Sequence, residues 1–143
     1  MDEHRVLLVD DEEVFVEALA KRMAKRGLTV DTAANGAVAV DKAAHKDFDV
    51  LVLDLAMPGL DGIETLRKLR EINADLQVIL LTGHGSVRAG VEAMKEGASD
   101  FLEKPCDFDE LLAKIEGASS RKALLVEQHQ TDKVDEILKK HGW

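Results

Sequence analysis

The stretch Val6-Leu-Leu-Val-Asp-Asp-Glu-Glu13 decides how the rest of the chain is read. Four apolar residues run without alternation and stop abruptly at four acids. Such a run reads as a strand covered on both faces, the pattern of a parallel sheet sandwiched between helices. The acids mark its carboxyl end. The motif returns at Val50–Leu53, which stops at Asp54, and at Val78–Leu81, which stops at Thr82. Two further runs are more polar. Leu28–Ala33 is interleaved with Thr29, Asp31 and Thr32, and the short Asp100–Glu103 carries acids at both ends. Both read as edge strands.

Apolar residues between these runs recur at helical spacing. The stripes are Phe15, Leu19 and Met23; Ala37, Val40 and Ala44; Ile63, Leu66 and Leu69; Val87, Val91 and Met94; and Phe108, Leu111, Leu112 and Ile115. Asn35, Ser86 and either Asp107 or Asp109 stand where helices should start, and Gly27 and Gly97 where helices should stop. Strands alternating with helices give an α/β fold: one doubly wound, five-stranded parallel sheet with helices on both faces. With the two polar strands outside and right-handed crossovers, the expected order is 2-1-3-4-5. Ser119–Gln130 reads as a prolongation of the last helix, and Val134, Ile137 and Leu138 as a further short amphipathic helix.

The chain has 143 residues, about one domain by length. A single cysteine, Cys106, excludes an internal disulfide and reads as an inert, partly buried thiol. No apolar run approaches the ~20 residues that cross a bilayer, and no signal-like segment opens the chain, so a cytoplasmic protein without membrane contact is expected. The net charge of -9 argues against direct nucleic-acid contact.

Open α/β sheets bind ligands beyond the carboxyl ends of their strands, at the point where strand order reverses. In the expected order that rim gathers Asp10, Asp11 and Asp54, flanked by Thr82 and Lys104. Crowded carboxylates repel one another unless a cation joins them, so replacing Asp10 or Asp54 by Ala is expected to stabilise the metal-free protein. An all-oxygen donor set suits a hard cation such as Mg²⁺, which typically takes one or two carboxylates, water and a phosphate. A carboxylate beside it can act as a phosphoryl acceptor. Taken singly, Asp10 and Asp11 also suit a helix cap, Asp54 a turn, and Lys104 a solvated lysine. Their joint placement at strand ends favours a site.

At these residues the sequence resembles the receiver domain of two-component response regulators. The matching motifs are VLLVDDEE, DVLVLDLAMPGLDGIETL, VILLTGHGS and FLEKP, and the resemblance covers about residues 4–118. The expected division is a receiver domain over 1–118 and a C-terminal helical tail over 119–143, with no separate output domain. The resemblance implies that Asp54 accepts a phosphoryl group from a histidine kinase or phosphotransfer protein. It implies that Asp10, Asp11, Asp54 and the backbone carbonyl of Ala56 hold Mg²⁺, and that Lys104 and Thr82 contact the phosphoryl oxygens. Thr82 and Phe101 would be the switch residues, with Phe where many members of the family carry Tyr. Ala56 and His84 would tune dephosphorylation, and the Lys104–Pro105 bond would be cis. The remaining histidines (His4, His45, His129, His141) read as surface residues.

The implied function is a phosphorylation-controlled switch, not an enzyme acting on a separate substrate. Its fourth helix, fifth strand and fifth helix would regulate a downstream protein or pair with a second copy. The TGHGS run resembles receivers attached to ATPase-type transcription activators. Two alternatives are weaker. A haloacid-dehalogenase-type phosphatase needs a second Asp two positions after its nucleophile, where this chain has Ala56. A nucleotide or flavin domain needs a Gly-rich first turn, where this chain has Asp-Asp-Glu-Glu.

Overall fold

A computed structural model describes residues 4–55, 62–83 and 87–142. Strands β1 (Arg5–Val9), β2 (Thr29–Ala33), β3 (Val50–Asp54), β4 (Gln77–Thr82) and β5 (Asp100–Glu103) form one sheet. Helices α1 (Glu13–Lys25), α2 (Gly36–His45), α3 (Gly62–Ile72), α4 (Val87–Lys95) and α5 (Phe108–Lys140) connect or follow them. All pairings are parallel, and the order is β2-β1-β3-β4-β5. The expected architecture is therefore the observed one.

The sheet's alternation splits the core in two. Val6, Leu8, Val50, Val52, Ile79 and Leu81 point toward α1 and α5, where Met23, Leu111 and Ile115 close over them. Leu7, Val9, Leu51, Leu53, Val78 and Leu80 point the other way, under Leu66 and Leu69 of α3 and Ala93 of α4. The three central strands are buried along both faces, which is why their sequences do not alternate. Local signals hold at most of the expected ends. Asn35 caps α2 by accepting the Val38 N–H at 2.9 Å. Gly27 and Gly97 end α1 and α4 at φ +90° and +103°, conformations that favour glycine. Asp107 stands at the start of α5 without a side-chain capping bond, and Ser86 lies outside the described residues.

Three helix faces differ from the sequence reading. On α1 the buried residues are Val16 and Met23, while Phe15 is partly exposed. On α2 they are Gly36 and Ala39. On α4, Gly90 and Ala93 face the core, and Val91 and Met94 remain exposed. On α1 the inward residues Val16 and Met23 are of full size, whereas on α2 and α4 small residues take the inward positions because the helix lies close to the sheet. Larger apolar residues one step round are left outside. The tail differs too. It is no separate helix: α5 runs unbroken for 33 residues, and its buried positions stop at Lys122. Beyond that, Leu124, Val134, Ile137 and Leu138 are exposed.

Candidate functional site

Parallel register puts the carboxyl ends of β1 and β3 side by side, with Val9 opposite Leu53. The next residue on each strand is an aspartate. Asp10 continues the ladder by donating its N–H to the Ala33 carbonyl at 3.1 Å, and its Oδ1 accepts the Glu12 N–H at 3.0 Å. That turn aims the carboxylate at the rim and buries it. The capping alternative is not what the structure shows, since Glu12 occupies the position before α1 and makes no side-chain capping bond. Asp54 is the last residue of β3, buried and in register with Leu81 of β4. Asp11 is exposed at the mouth. Carboxylate oxygens of Asp10, Asp11 and Asp54 all lie within 4.8 Å of one another.

Lys104 reaches this cluster from the loop after β5. Its Nζ lies 3.0 Å from Asp10 Oδ2 and 3.4 Å from Asp54 Oδ2. The cis Lys104–Pro105 bond is present as expected. Burial alone pulls the ammonium's pKa down. The hydrogen bond to Asp10 and the charge of Asp54 outweigh it, so the pKa lies above the ordinary lysine value. Three carboxylates against one ammonium leave an excess of two negative charges at the rim. The donor set is all oxygen and two of its three carboxylates are buried, so a hard divalent cation fits it.

Thr82 ends β4 fully buried. Its Oγ1 donates to the Leu102 carbonyl at 3.4 Å, and its own carbonyl accepts the Lys104 N–H at 2.7 Å. The threonine and lysine are thus tied together across the β4–β5 ladder. Phe101 is half-buried between β5 and α4, with Leu80 beside it in the sheet. Ala56 and His84 lie outside the described residues.

Two features escaped the sequence reading. Phe15, taken there as a core residue, sits with its ring centroid 5.0 Å from Lys104 Nζ. A cation–π contact thus adds to the ion pairs that hold the ammonium. The available signal was its place in the first turn of the helix after Asp11. Phe15 also lines a groove of about 420 Å³ between α1 and the start of α5, with Leu19, Arg22, Cys106 and Phe108. Cys106 in this groove is pushed up in pKa by burial and by Glu110, as an inert thiol would be. Second, three of the supposed surface histidines are engaged, His45 within its own helix, where its Nδ1 lies 2.8 Å from the Asp41 carbonyl oxygen. His4 Nδ1 lies 2.6 Å from Ser119 Oγ, and His129 Nδ1 lies 3.0 Å from Asp75 Oδ2.

The response regulator receiver domain model matches residues 6–116. The chain belongs to that family. Over 124 residues the receiver is 46% identical to the C4-dicarboxylate transport transcriptional regulatory protein DctD of Pseudomonas aeruginosa. That match covers 86% of this chain and 27% of the relative. It is 40% identical over 115 residues to the DNA-binding transcriptional regulator NtrC of Escherichia coli, covering 80% of this chain and 24% of that one. The chain therefore spans about a quarter of the length of these two curated relatives. Among solved structures, a response regulator receiver domain protein from Clostridium thermocellum superimposes with TM-score 0.81 at 33% identity, covering 85% of this chain and 98% of that one. FixJ-N superimposes with TM-score 0.77 at 38% identity, covering 84% and 96%. The receiver is a phosphorylation-dependent signalling module, and its relatives are named as regulators. Among the described residues no helix is long and apolar enough to cross a membrane.

Proposed function

We propose that Asp54 is the phosphoacceptor of this receiver, charged by a histidine kinase or phosphotransfer protein. The observation that carries this reading is a buried carboxylate at a strand end with Asp10 beside it and Lys104 3.4 Å away. An Asp54 oxygen attacks phosphorus, the new O–P bond forms, and the N–P bond of the phosphohistidine breaks to release the imidazole. Asp10, Asp11, Asp54 and the Ala56 carbonyl would hold Mg²⁺, which when bound supplies charge neutralisation for the phosphoryl oxygens. Lys104, already poised between Asp10 and Asp54, transfers its hydrogen bonds to the incoming oxygens. Thr82 gives up its contact with the Leu102 carbonyl for the same purpose.

The domain works on itself, as a switch. Thr82 and Phe101 couple the rim to the face built by α4, β5 and α5, where exposed Val91 and Met94 offer an apolar contact for a downstream protein or a second copy. Ala56 and His84 tune water attack on the acyl phosphate. The receiver proper ends near residue 118, and the tail that follows extends it as the outer part of α5, to Lys140. We assign these residues a cytoplasmic setting and, given the net charge of -9, no direct nucleic-acid contact. With Mg²⁺ and acetyl phosphate, intact-mass spectrometry should show one added phosphoryl group, absent in Asp54→Ala. Labelling that persists in Asp54→Ala overturns the acceptor assignment.

A further inference from the structure

The Phe101 ring and Gly90 meet more closely than a side chain on residue 90 allows. A Cβ placed on Gly90 would lie 2.8, 2.9 and 3.0 Å from three atoms of the ring. Gly90 sits in the interior of α4, where glycine weakens a helix relative to alanine. Its backbone is ordinary for a helix, so no positive φ calls for glycine there. The space left by the missing side chain is matched to one object. The ring belongs to the strand next to Thr82, and the ladder ties the two, with Leu80 beside Phe101 and Thr82 beside Glu103.

We propose that Gly90 is the positioning residue that admits the Phe101 ring against α4. By doing so it sets the balance between inward and outward positions of that ring. The proposal rests on the reading of Phe101 as a switch residue, and it names what that reading lacks: the surface that receives the ring. α4 then carries a helix-weakening residue at a point where the ring needs room. Adding one methyl group forces the ring away from α4, because the ring is the neighbour free to rotate. The outward position gains, and the exposed face of α4 and β5 becomes less responsive to events at Asp54.

A two-part experiment tests this on the full chain. Thermal melts compare Gly90→Ala in the wild-type and Phe101→Ala backgrounds. With the ring gone, the substitution should raise the melting temperature by roughly 2–4 °C, the ordinary gain from replacing a helical glycine. With the ring present, it should lower the melting temperature or leave it unchanged. In parallel, the four phenylalanines are labelled with para-fluorophenylalanine and followed by fluorine NMR, the Phe101 line being the one lost in Phe101→Ala. Gly90→Ala should move that line and leave those of Phe48 and Phe108 in place. Adding acetyl phosphate and Mg²⁺ should move it in the wild type and move it less in Gly90→Ala. Equal melting shifts in the two backgrounds, or a Phe101 line indifferent to Gly90→Ala, overturns the proposal. A line that responds to Gly90→Ala but not to phosphorylation of a protein shown by mass to be labelled overturns the switch reading of Phe101, and the gating role with it.

Discussion

The two ends of the sheet each hold a lysine among aspartates, and they are built on opposite plans. At the carboxyl rim the acids Asp10 and Asp54 are buried, and Lys104 is the more accessible partner. At the far end the lysine is buried. Lys122 is 5% exposed, lies 2.6 Å from Asp47 Oδ1 and 3.6 Å from Asp49 Oδ1, and donates to the Phe48 carbonyl at 2.8 Å. Asp47 there is 71% exposed. At the far end, then, a neutral oxygen and two carboxylates surround one buried cation, an excess of one negative charge against two at the rim. At the rim one cation faces three carboxylates. The contrast teaches that an ion pair alone says little, whereas buried carboxylates gathered with a third at the sheet's carboxyl end mark a place for a ligand.

The far-end cluster should prove the stronger structural tie. Lys122→Ala leaves the Phe48 carbonyl without its donor and should cost about 1–3 kcal/mol in chemical denaturation. A loss below the error of the measurement would break the comparison. Lys104→Met should cost less, about 1–2 kcal/mol without divalent cations, because the ammonium is partly exposed, even though its loss leaves the acids to repel one another. The sign with pH comes from its raised pKa. The stabilising contribution is full below the ordinary lysine value of 10.5 and is lost as pH rises through the folded value, so wild type and Lys104→Met should converge in alkali. Asp54→Ala should go the other way and stabilise the divalent-free protein by about 1 kcal/mol. Asp10→Ala should gain less or lose stability, because that carboxylate accepts the Glu12 N–H and lies nearer the Lys104 ammonium, at 3.0 Å against 3.4 Å for Asp54. Equal gains for both would show that repulsion alone governs the rim. The smallest effect lies at the edge strand. There Asp31 accepts from Lys42 at 2.9 Å and from Lys46 at 3.2 Å. Burial raises its pKa, but the two lysines and the Thr32 N–H hold it below the ordinary value. Asp31→Asn should cost about 0.5 kcal/mol at neutral pH, the scale of a screened surface pair. That difference should be full above pH 3.8 and fade as pH falls through the folded value.

The rim was legible in the sequence because its logic is one-dimensional. Apolar runs such as Val50–Leu53 can only be buried strands, and the residue after each run must stand at the sheet's carboxyl end. Helix faces were less legible. Val91 and Met94 look like a core stripe, yet Gly90 and Ala93 hold the inward side of α4. The reason is that spacing in sequence does not record how near a helix lies to its sheet. Lys122 was invisible for a related cause. A lysine in a polar stretch reads as solvated until the Phe48 carbonyl and two aspartates, more than seventy positions away in sequence, are brought beneath it. The unbroken course of α5 through Glu127–Lys133 likewise has no apolar periodicity to announce it.

That unbroken course has a mechanical consequence. From His129, whose ring meets Asp75 at 3.0 Å, α5 continues for a further eleven residues, roughly 16 Å at the usual helical rise. A pivot of about 5° at that tie would sweep the far tip through roughly 1.4 Å, comparable to the interface helix shifts that separate functional states in other proteins. The helix therefore works as a pointer, turning a sub-ångström adjustment beside the sheet into a displacement large enough to be felt by whatever rests on its end.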